Sequence, residues 1–374
     1  MKNLLRVFLS QWVINNFYHL PKAFLANVFY GFPTRGLKVI GVTVTDGKTT
    51  TVNMIYQILK SAGKKVSMVS TINSPGLHVT SPDPFLVQKF AKDAAGRGDE
   101  YLILEVTSHG LDQYRFWGIK FEIGVITNIT HEHLDYHKTF ERYKNTKLKL
   151  LRNSKFKIAN QNLKIPQTIP FNKYKLKLKI PGDYNIENAR AAIEVAAVLG
   201  IDKQIARKAV ENFEGIAGRM EEVKNTRGIK IFIDFAHTPN GLENALKALR
   251  SKGKLIALIG CEGFRDVGKR SLMGSIAQKL SDIVIVTAVD PRGQIDQINR
   301  QIEFGAKKAG AQVSKNFFII NDRKAAIRFA IKNLAKKGDT IGIFGKGHEA
   351  SMNFDGKTEE AWSDKEVVEE ILNG

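Results

Sequence analysis

Residues 101–151 read YLILEVTSHGLDQYRFWGIKFEIGVITNITHEHLDYHKTFERYKNTKLKLL, and this stretch decides the fold. Its two apolar runs, 102–104 and 123–126, are typical of buried parallel strands. Glu105 closes the first run, and the second opens onto 128–137, a polar segment with three histidines. Because ligands bind beyond the carboxyl ends of parallel strands, we expect both polar clusters to face one site.

A helix is predicted after the second run, with Tyr143 and Lys147 one turn apart on the same face. The stretch therefore offers a carboxylate, imidazoles and a lysine that could converge on a metal and a phosphate. Taken alone, Glu105 could be a helix cap and His133 a surface residue. The clustering of polar groups after both strands favours a site instead.

Length and composition predict an ordinary folded protein of two domains. The chain has 374 residues, 43% of them hydrophobic and 25% charged, which is long for a single core. Its one cysteine, Cys261, excludes an intrachain disulfide framework and a cysteine zinc site. Cytoplasmic localisation is the default expectation, with possible contact at the inner face of the membrane.

The formal net charge of +20 is spread along the whole chain. No RNA-recognition, zinc-finger or helix-turn-helix pattern accompanies it, so we interpret it as a lysine-rich surface that attracts anionic substrates. No apolar run approaches the roughly 18 residues needed to span a bilayer. A nucleic-acid partner is not expected.

Residues 1–36 form a basic, aromatic-rich segment that contains no acidic residue. One interpretation is a pair of short helices, broken near Pro21 and docked on the following domain. The other is an amphipathic segment lying on a membrane surface. The segment lacks the cleavage site of a secretory signal.

Residues 37–42 are predicted to form a strand that leads into 43–51, TVTDGKTTT, and then into a helix. A turn with Gly47, Lys48 and Thr49 at a helix start can cradle phosphate and present a hydroxyl to Mg²⁺. The strict phosphate-loop pattern is not met, because Val42 stands where its first glycine belongs. Strand–turn–helix connections with a glycine also occur without a ligand.

The next stretch, 155–179, is lysine-rich and predicted to be irregular, and 181–188 then opens a helix. Asn185 and Asn188 share one face of that helix, where they could cap it or hold an adenine. The pattern breaks near Arg219. We therefore predict three segments: N-terminal helices over 1–36, a central domain over 37–217 and a C-terminal domain over 218–374.

The C-terminal half alternates strands and helices again, which predicts a second doubly wound sheet. The predicted strands are 230–234, 255–260, 283–288, 317–320 and 340–344. Mixed-charge clusters follow four of them, which indicates a substrate with both amine and carboxylate groups. The predicted fold class is α/β: a P-loop-type central domain with a parallel sheet, followed by a Rossmann-like C-terminal domain.

These residues resemble the Mur ligase family, and most of all its members that add the third residue of the peptidoglycan stem peptide. The motifs that carry the resemblance are TDGKTTT, EVTSHGLDQYR, TNITHEHLDYH, GRME, DFAHTPNGL, GCEGFRDVGKR, DPRG and GKGHE. The resemblance implies an ATP-dependent amide ligase. ATP would phosphorylate a carboxylate, and the amine of an amino acid would attack the acyl phosphate.

The resemblance also implies roles for individual residues, with ATP, Mg²⁺ and a CO₂-derived carbamate on Lys147 as cofactors. The implied catalytic residues are Lys48, Glu105, His133 and Lys147. The implied nucleotide-binding residues are Asp46, Gly47, Lys48, Thr49, Thr50, Asn185, Asn188, Arg219, Asp234 and His237. The implied metal ligands are Thr49, Glu105, His133 and carbamylated Lys147.

Two further sets are implied for the substrates of a monomeric enzyme. The muramyl-peptide acceptor would contact Thr80, Ser81, Thr107, Gln113 and Arg115. The added amino acid would contact Arg265, Asp290, Arg292, Gly345 and Glu349. Arg292 would clasp a distal carboxylate and Glu349 a distal ammonium, which favours diaminopimelate.

The sequence departs from the family pattern at three places. Val44 replaces a loop glycine, and Asp290 replaces an asparagine, adding negative charge beside the carboxylate-reading arginine. The residues before the first strand are too few for the family's UDP-binding domain, so UDP-linked acceptor binding is in question. Three alternatives are a folylpolyglutamate-synthase-like ligase, a lipid-linked isoglutaminyl synthase subunit and a non-catalytic Mur-derived scaffold at the membrane.

Overall fold

The structure is a computed structural model that describes residues 10–71, 81–171 and 173–374. The chain divides into two compact units. The first runs to Lys179 and includes Asn185–Phe213; the second comprises Ile180–Tyr184 and Glu214–Gly374. The segment boundaries expected from the sequence stay predictions.

The first unit is built on a parallel sheet in the order β2-β3-β1-β4-β5, counting the strands that the structure describes. The strands are β1 Lys38–Val42, β2 Val66–Val69, β3 Tyr101–Glu105, β4 Phe121–Ile126 and β5 Ser154–Ala159. β1 lies between β3 and β4, so the order in which strands are added reverses there: β2 and β3 lie on one side of β1, and β4 and β5 lie on the other. Such a position opens a crevice at the carboxyl ends of these strands, where ligands bind.

The helices of this unit cover the sheet, whose central strands are buried on both faces. In chain order they are α1 Leu20–Tyr30, α2 Lys48–Ser61, α3 Pro84–Gly96, α4 Ser108–Asp112, α5 Leu134–His137, α6 Phe140–Arg152, α7 Asp183–Val198 and α8 Lys203–Glu211. Short 3₁₀ turns lie at Pro33–Gly36 and Gln161–Leu163. Apolar side chains from β1, β3, α3 and α6 form one continuous core.

Two expectations for this unit are wrong. The helix does not break at Pro21: Gln11–Ile14, a π-helical turn at Asn15–His19 and α1 follow one another directly. Pro21 lies in the first turn of α1, where a missing N–H is tolerated. The stretch from residue 155 is not irregular throughout, because β5 pairs with β4 along a sheet edge that accepts lysines facing solvent.

The second unit contains the other α/β sheet, in the order β10-β9-β8-β11-β7-β6 for the described strands. Its strands are β6 Glu221–Val223, β7 Lys230–Asp234, β8 Leu255–Ile259, β9 Ile283–Val286, β10 Phe317–Ile319 and β11 Thr340–Phe344. All pairs are parallel except β6 with β7, and β6 was not predicted from the sequence. A separate antiparallel pair joins β12 Ser351–Met352 to β13 Glu360–Ala361.

The helices of the second unit lie on both faces of this sheet. They are α9 Pro239–Leu249, α10 Gly268–Leu280, α11 Ile295–Lys308, α12 Arg323–Phe329 with a π-helical continuation at Ala330–Leu334, and α13 Asp364–Asn373. Two apolar clusters, one on each face, form the core. The α/β class with parallel sheets, predicted from the sequence, is confirmed.

Candidate active site

The loop after β1 brings two lysine side chains onto one carbonyl oxygen. The Nζ of Lys48 donates to the carbonyl oxygens of Val44 and Thr45, both at 2.9 Å. The Nζ of Lys147, from α6, donates to the same Val44 oxygen at 2.8 Å. The fold thus brings together two of the four predicted catalytic residues, which lie 99 positions apart in sequence (147 − 48).

Lys147 is 1% exposed, and its surroundings favour the uncharged amine. Burial lowers the pKa of Lys147 well below its usual value, and the positive charge of Lys48 lowers it further. Asp46 and Glu132 act in the opposite direction but more weakly. Because a neutral amine is nucleophilic and an ammonium is not, a lowered pKa of Lys147 favours reaction with CO₂.

Gly47 begins α2 in a conformation that suits a phosphate-binding turn. Its φ is +94°, and no side chain among the described residues caps the helix there. The first amides of α2 are thus oriented toward any anion placed before them. A Cβ at position 47 would lie 2.7 Å from the Oδ1 of Asn188, so any larger residue would displace that side chain.

Val44 does not disturb this loop. It is absent from the described residues with positive φ, and its side chain is fully buried. The conformation that would need glycine occurs at Gly47 instead. The departure from the family pattern at position 44 is therefore compatible with the turn.

Asn128 braces the same loop from the residues after β4. Its Oδ1 accepts hydrogen bonds from the amides of Thr45 at 3.1 Å and Asp46 at 3.0 Å. Its Nδ2 donates to the carbonyl oxygen of Asp46 at 2.7 Å. Asn128 was not singled out by the sequence analysis, although its position two residues after the end of β4, in the TNIT motif, was a usable signal.

Glu105 is the last residue of β3, and His133 lies in the segment after β4, directly before α5; β3 and β4 flank β1. Glu105 pairs in register with Val42, the last residue of β1, and its Oε2 accepts a hydrogen bond from Thr71 at 2.8 Å. His133 has a φ of 56°, and its ring lies 4.7 Å from that of His109. The carboxylate and the imidazole thus emerge at the edge where the phosphate-binding turn begins.

The side chains proposed as metal ligands could bind Mg²⁺ only together with further oxygen ligands. The described residues contain no group of three or more His, Cys, Asp or Glu side chains arranged to hold a metal ion. Thr49 and Glu105 supply the oxygen ligands that Mg²⁺ prefers. Phosphate oxygens and a carbamate on Lys147 would supply the rest, so the residues present fit a metal held together with its substrate.

Four of the five predicted acceptor residues form one hydrogen-bonded network. Thr107 donates to the Oγ of Ser81 from its amide at 3.0 Å and from its hydroxyl at 2.8 Å. Arg115 donates to the carbonyl oxygen of Ser81 and, at 2.7 Å, to the Oε1 of Gln113. Thr80, the fifth residue, lies outside the described residues.

In the second unit, Arg219 and His237 lie near the same aromatic side chain. The guanidinium of Arg219 is 4.4 Å from the ring centre of Phe235, and the ring of His237 is 4.6 Å from it. Asp234 accepts hydrogen bonds from the amides of Met220 at 2.8 Å and Ala236 at 2.7 Å. The carboxylate of Asp234 therefore orders the turns that carry Arg219 and His237.

Lys346 is the centre of the predicted amino-acid cluster, and the sequence analysis did not single it out. Its Nζ lies 3.0 and 3.1 Å from the two carboxylate oxygens of Asp290 and 2.7 Å from Glu349. The amide of Asn353 also donates to Asp290 at 2.9 Å. The negative charge that Asp290 adds is thus paired with Lys346.

The remaining members of that cluster come from neighbouring loops. Arg292 has a φ of 49° and donates to the carbonyl oxygen of Gly263 at 3.1 Å. Gly345 has a φ of +105°, and a Cβ there would approach Val289 to 2.9 Å. The charge of Arg265 helps to lower the pKa of Glu262 to about 2, against the effect of burial and alongside the larger effect of Lys269.

Two family models match the chain: Mur ligase middle domain over residues 42–169, and Mur ligase, glutamate ligase domain over residues 218–347. The UDP-N-acetylmuramoyl-L-alanyl-D-glutamate--2,6-diaminopimelate ligase of Clostridium tetani is 36% identical, with 94% of this chain and 80% of that protein aligned. The chain belongs to the Mur ligase family. The resemblance read from the motifs is confirmed.

Solved structures agree with this assignment of the Mur ligase fold. A UDP-N-acetylmuramoyl-L-alanyl-D-glutamate--2,6-diaminopimelate ligase shares 27% identity at a TM-score of 0.60, covering 94% of this chain and 82% of its own. The folylpolyglutamate synthase of Mycobacterium tuberculosis has a TM-score of 0.69 at 16% identity, covering 87% and 92%. At that identity the likeness shows the shared fold alone.

Proposed function

We propose that this Mur ligase joins 2,6-diaminopimelate to a muramoyl-L-alanyl-D-glutamate acceptor in peptidoglycan precursor synthesis. The names of its relatives support the reaction. The observation that carries it is the convergence of Lys48 and Lys147 on the carbonyl oxygen of Val44, at the start of the phosphate-binding turn. The γ-phosphate of ATP passes to the acceptor carboxylate, and the amine then displaces phosphate to form the amide.

The nucleotide phosphates bind at the start of α2. The amides of Lys48, Thr49 and Thr50 and the ammonium of Lys48 stabilise the negative charge that develops during phosphoryl transfer. Asp46 and Gly47 shape the turn, and Asn188 lies against it. The proposed nucleotide contacts further include Asn185, Arg219, Asp234 and His237.

Mg²⁺, held by Thr49, Glu105, His133 and a carbamate on Lys147, would supply positive charge to the phosphates when bound. Glu105 can contribute because Thr71 donates to its Oε2 and so orients the carboxylate. Lys147 must be carbamylated for this role, since an ammonium would repel the ion.

The carbamate on Lys147 has a direct test. In ¹³C-bicarbonate the wild type should show a carbamate carbon resonance that Lys147→Ala lacks. Lys147→Ala should lose turnover while nucleotide affinity stays nearly unchanged, because Lys48 still donates to the carbonyl oxygen of Val44 and so keeps the loop in place. Full activity of this variant would refute the carbamate role.

The amino-acid site is assigned to the cluster around Lys346 in the second unit. Arg292 and Arg265 would bind the distal carboxylate of diaminopimelate, Glu349 its ammonium, and Gly345 allows the backbone to approach the ligand. Burial raises the pKa of Glu349, with Lys346 opposing this shift. Arg292→Lys should raise KM for diaminopimelate by roughly tenfold or more, because a bidentate contact becomes a single one.

Lysine as the added amino acid provides the control for Arg292→Lys, since it lacks the distal carboxylate. Any residual activity with lysine should change little in the variant. An equal loss of activity with both amino acids would show that Arg292 does not bind the distal carboxylate. The acceptor contacts are assigned to Ser81, Thr107, Gln113 and Arg115, together with Thr80.

The reaction is tested by ADP release with ATP, UDP-linked muramoyl-L-alanyl-D-glutamate and one amino acid at a time. We expect stimulation by diaminopimelate above that by lysine, ornithine or glutamate. Nucleotide binding without stimulation by any of them would contradict the ligase and favour the scaffold. The proposed enzyme is a monomer that acts in the cytoplasm or at the inner face of the membrane. Light scattering tests the oligomeric state, and cell fractionation tests the localisation.

A further inference from the structure

The helical segment 11–30, which precedes β1, buries polar side chains and exposes apolar ones, the reverse of an ordinary surface helix. Its buried side includes two asparagines and two alanines: Asn15, Ala23, Ala26 and Asn27. Its exposed side is apolar and mostly aromatic. An ordinary surface helix buries its apolar stripe and exposes its polar one.

Hydrogen bonds hold the polar side of this helix on the first unit. Asn15 donates to the carboxylate of Asp112 at 2.8 Å. Asn27 donates to the carbonyl oxygen of Trp117 at 2.9 Å, and a Cβ at Gly118 would approach its Oδ1 to 2.6 Å. Because these contacts fix the orientation, the exposure of the apolar side is built into the fold.

The exposed apolar side is defined here as the aromatic face. Its large side chains are 47–73% exposed and recur at helical spacing. They are Trp12, Phe17, Tyr18, Phe24, Leu25, Val28 and Phe29. A contiguous apolar patch of this kind marks an interaction surface rather than ordinary surface variation.

The charge around the aromatic face indicates what covers it. The first acidic residue of the sequence is Asp46, whereas five lysines and arginines precede it. Three of the five lie in the part of the chain that the structure describes: Arg35 and Lys38 are exposed, and Lys22 pairs with Asp83. Tryptophan and tyrosine beside basic residues are typical of helices lying in the interface of an anionic bilayer. No helix among the described residues is long and apolar enough to cross a membrane.

We propose that the aromatic face docks this protein on an anionic lipid bilayer, with the helix parallel to the surface. The helix contacts the segment that carries two proposed acceptor residues, Gln113 and Arg115. Asn15 donates to Asp112, the residue before Gln113. Tyr114, the residue before Arg115, donates to Asn16 at 3.2 Å. Docking therefore holds the acceptor-binding loop of the first unit close to the lipid surface. The docking itself does not depend on the proposed ligase activity.

Vesicle co-sedimentation of the full chain tests the docking. The vesicles contain phosphatidylcholine with or without about 30 mol% phosphatidylglycerol. Phe17→Ser/Leu25→Ser/Phe29→Ser removes three exposed side chains of the aromatic face. Leu272→Ser/Phe304→Ser/Val313→Ser is the matched control, since these residues of the second unit are 52–57% exposed.

We expect the wild type and the control to bind anionic vesicles, with release by salt, and the aromatic-face variant to bind about a hundredfold more weakly. Circular dichroism verifies that both variants are folded. Absence of wild-type binding, or equal loss in both variants, would overturn the proposal. So would a wild-type dimer that the aromatic-face variant converts to monomer, because a second copy would then cover the face.

Discussion

Asn128→Ala should weaken nucleotide binding although Asn128 is not assigned any contact with the nucleotide. The substitution removes three hydrogen bonds that hold the backbone of Thr45 and Asp46. Each such bond contributes about 0.5–1.5 kcal/mol net, and water can replace part of it at this half-buried site, so we expect a loss of about 2 kcal/mol. If binding must restore the loop conformation, that loss corresponds to roughly a thirtyfold increase in Kd.

Titration calorimetry with ADP or a non-hydrolysable ATP analogue measures this effect. Asn225→Ala is the matched control, because Asn225 also makes three hydrogen bonds that hold a turn, in this case in the second unit. Both variants should lose stability, but only Asn128→Ala should lose affinity. Nucleotide affinity within about twofold of wild type in Asn128→Ala would refute the bracing role.

Two further predictions concern stability. Arg323 and Asp364 form a fully buried ion pair with contacts of 2.7 Å, so Arg323→Met should lower the free energy of unfolding in urea by about 3–5 kcal/mol. As a control, Arg250→Ala should lower it by under about 1 kcal/mol, because the side chains of the Arg250–Asp282 pair are 51% and 35% exposed. Equal losses in the two variants would contradict the role of the buried pair. Burial, together with the charges of Arg219 and Lys346, lowers the pKa of His348 from 6.5 to about 4. Between these pH values His348 is protonated in the unfolded chain but not in the folded protein. The free energy of unfolding should therefore fall as the pH falls from 6.5 toward 4. His348→Gln should reduce that loss of stability by roughly 2–3 kcal/mol. An unchanged pH dependence of stability in His348→Gln would count against the shifted pKa.

The sequence by itself determined the two parallel sheets and the order of the motifs on them. Apolar runs bounded by polar clusters predict buried strands without knowledge of their partners, and 230–234 and 340–344 match β7 and β11 at both ends. The edge strands β5 and β6 were missed. These two strands carry lysine and glutamate facing solvent, and their strand conformation comes from pairing with a neighbour.

Only the tertiary structure decided the electrostatics of the site. The depressed pKa of Lys147 depends on burial and on Lys48, which lies far away in sequence. Likewise, Asp290 is compensated by Lys346 across 56 residues, and no local pattern contains that pairing. The N-terminal segment shows the same division: its composition indicated an amphipathic helix, but burial of Asn15 and Asn27 determined which side faces outward. Local sequence determines whether an element is a helix or a strand. The surface that the element packs against determines which of its sides is buried and which charged groups lie beside it.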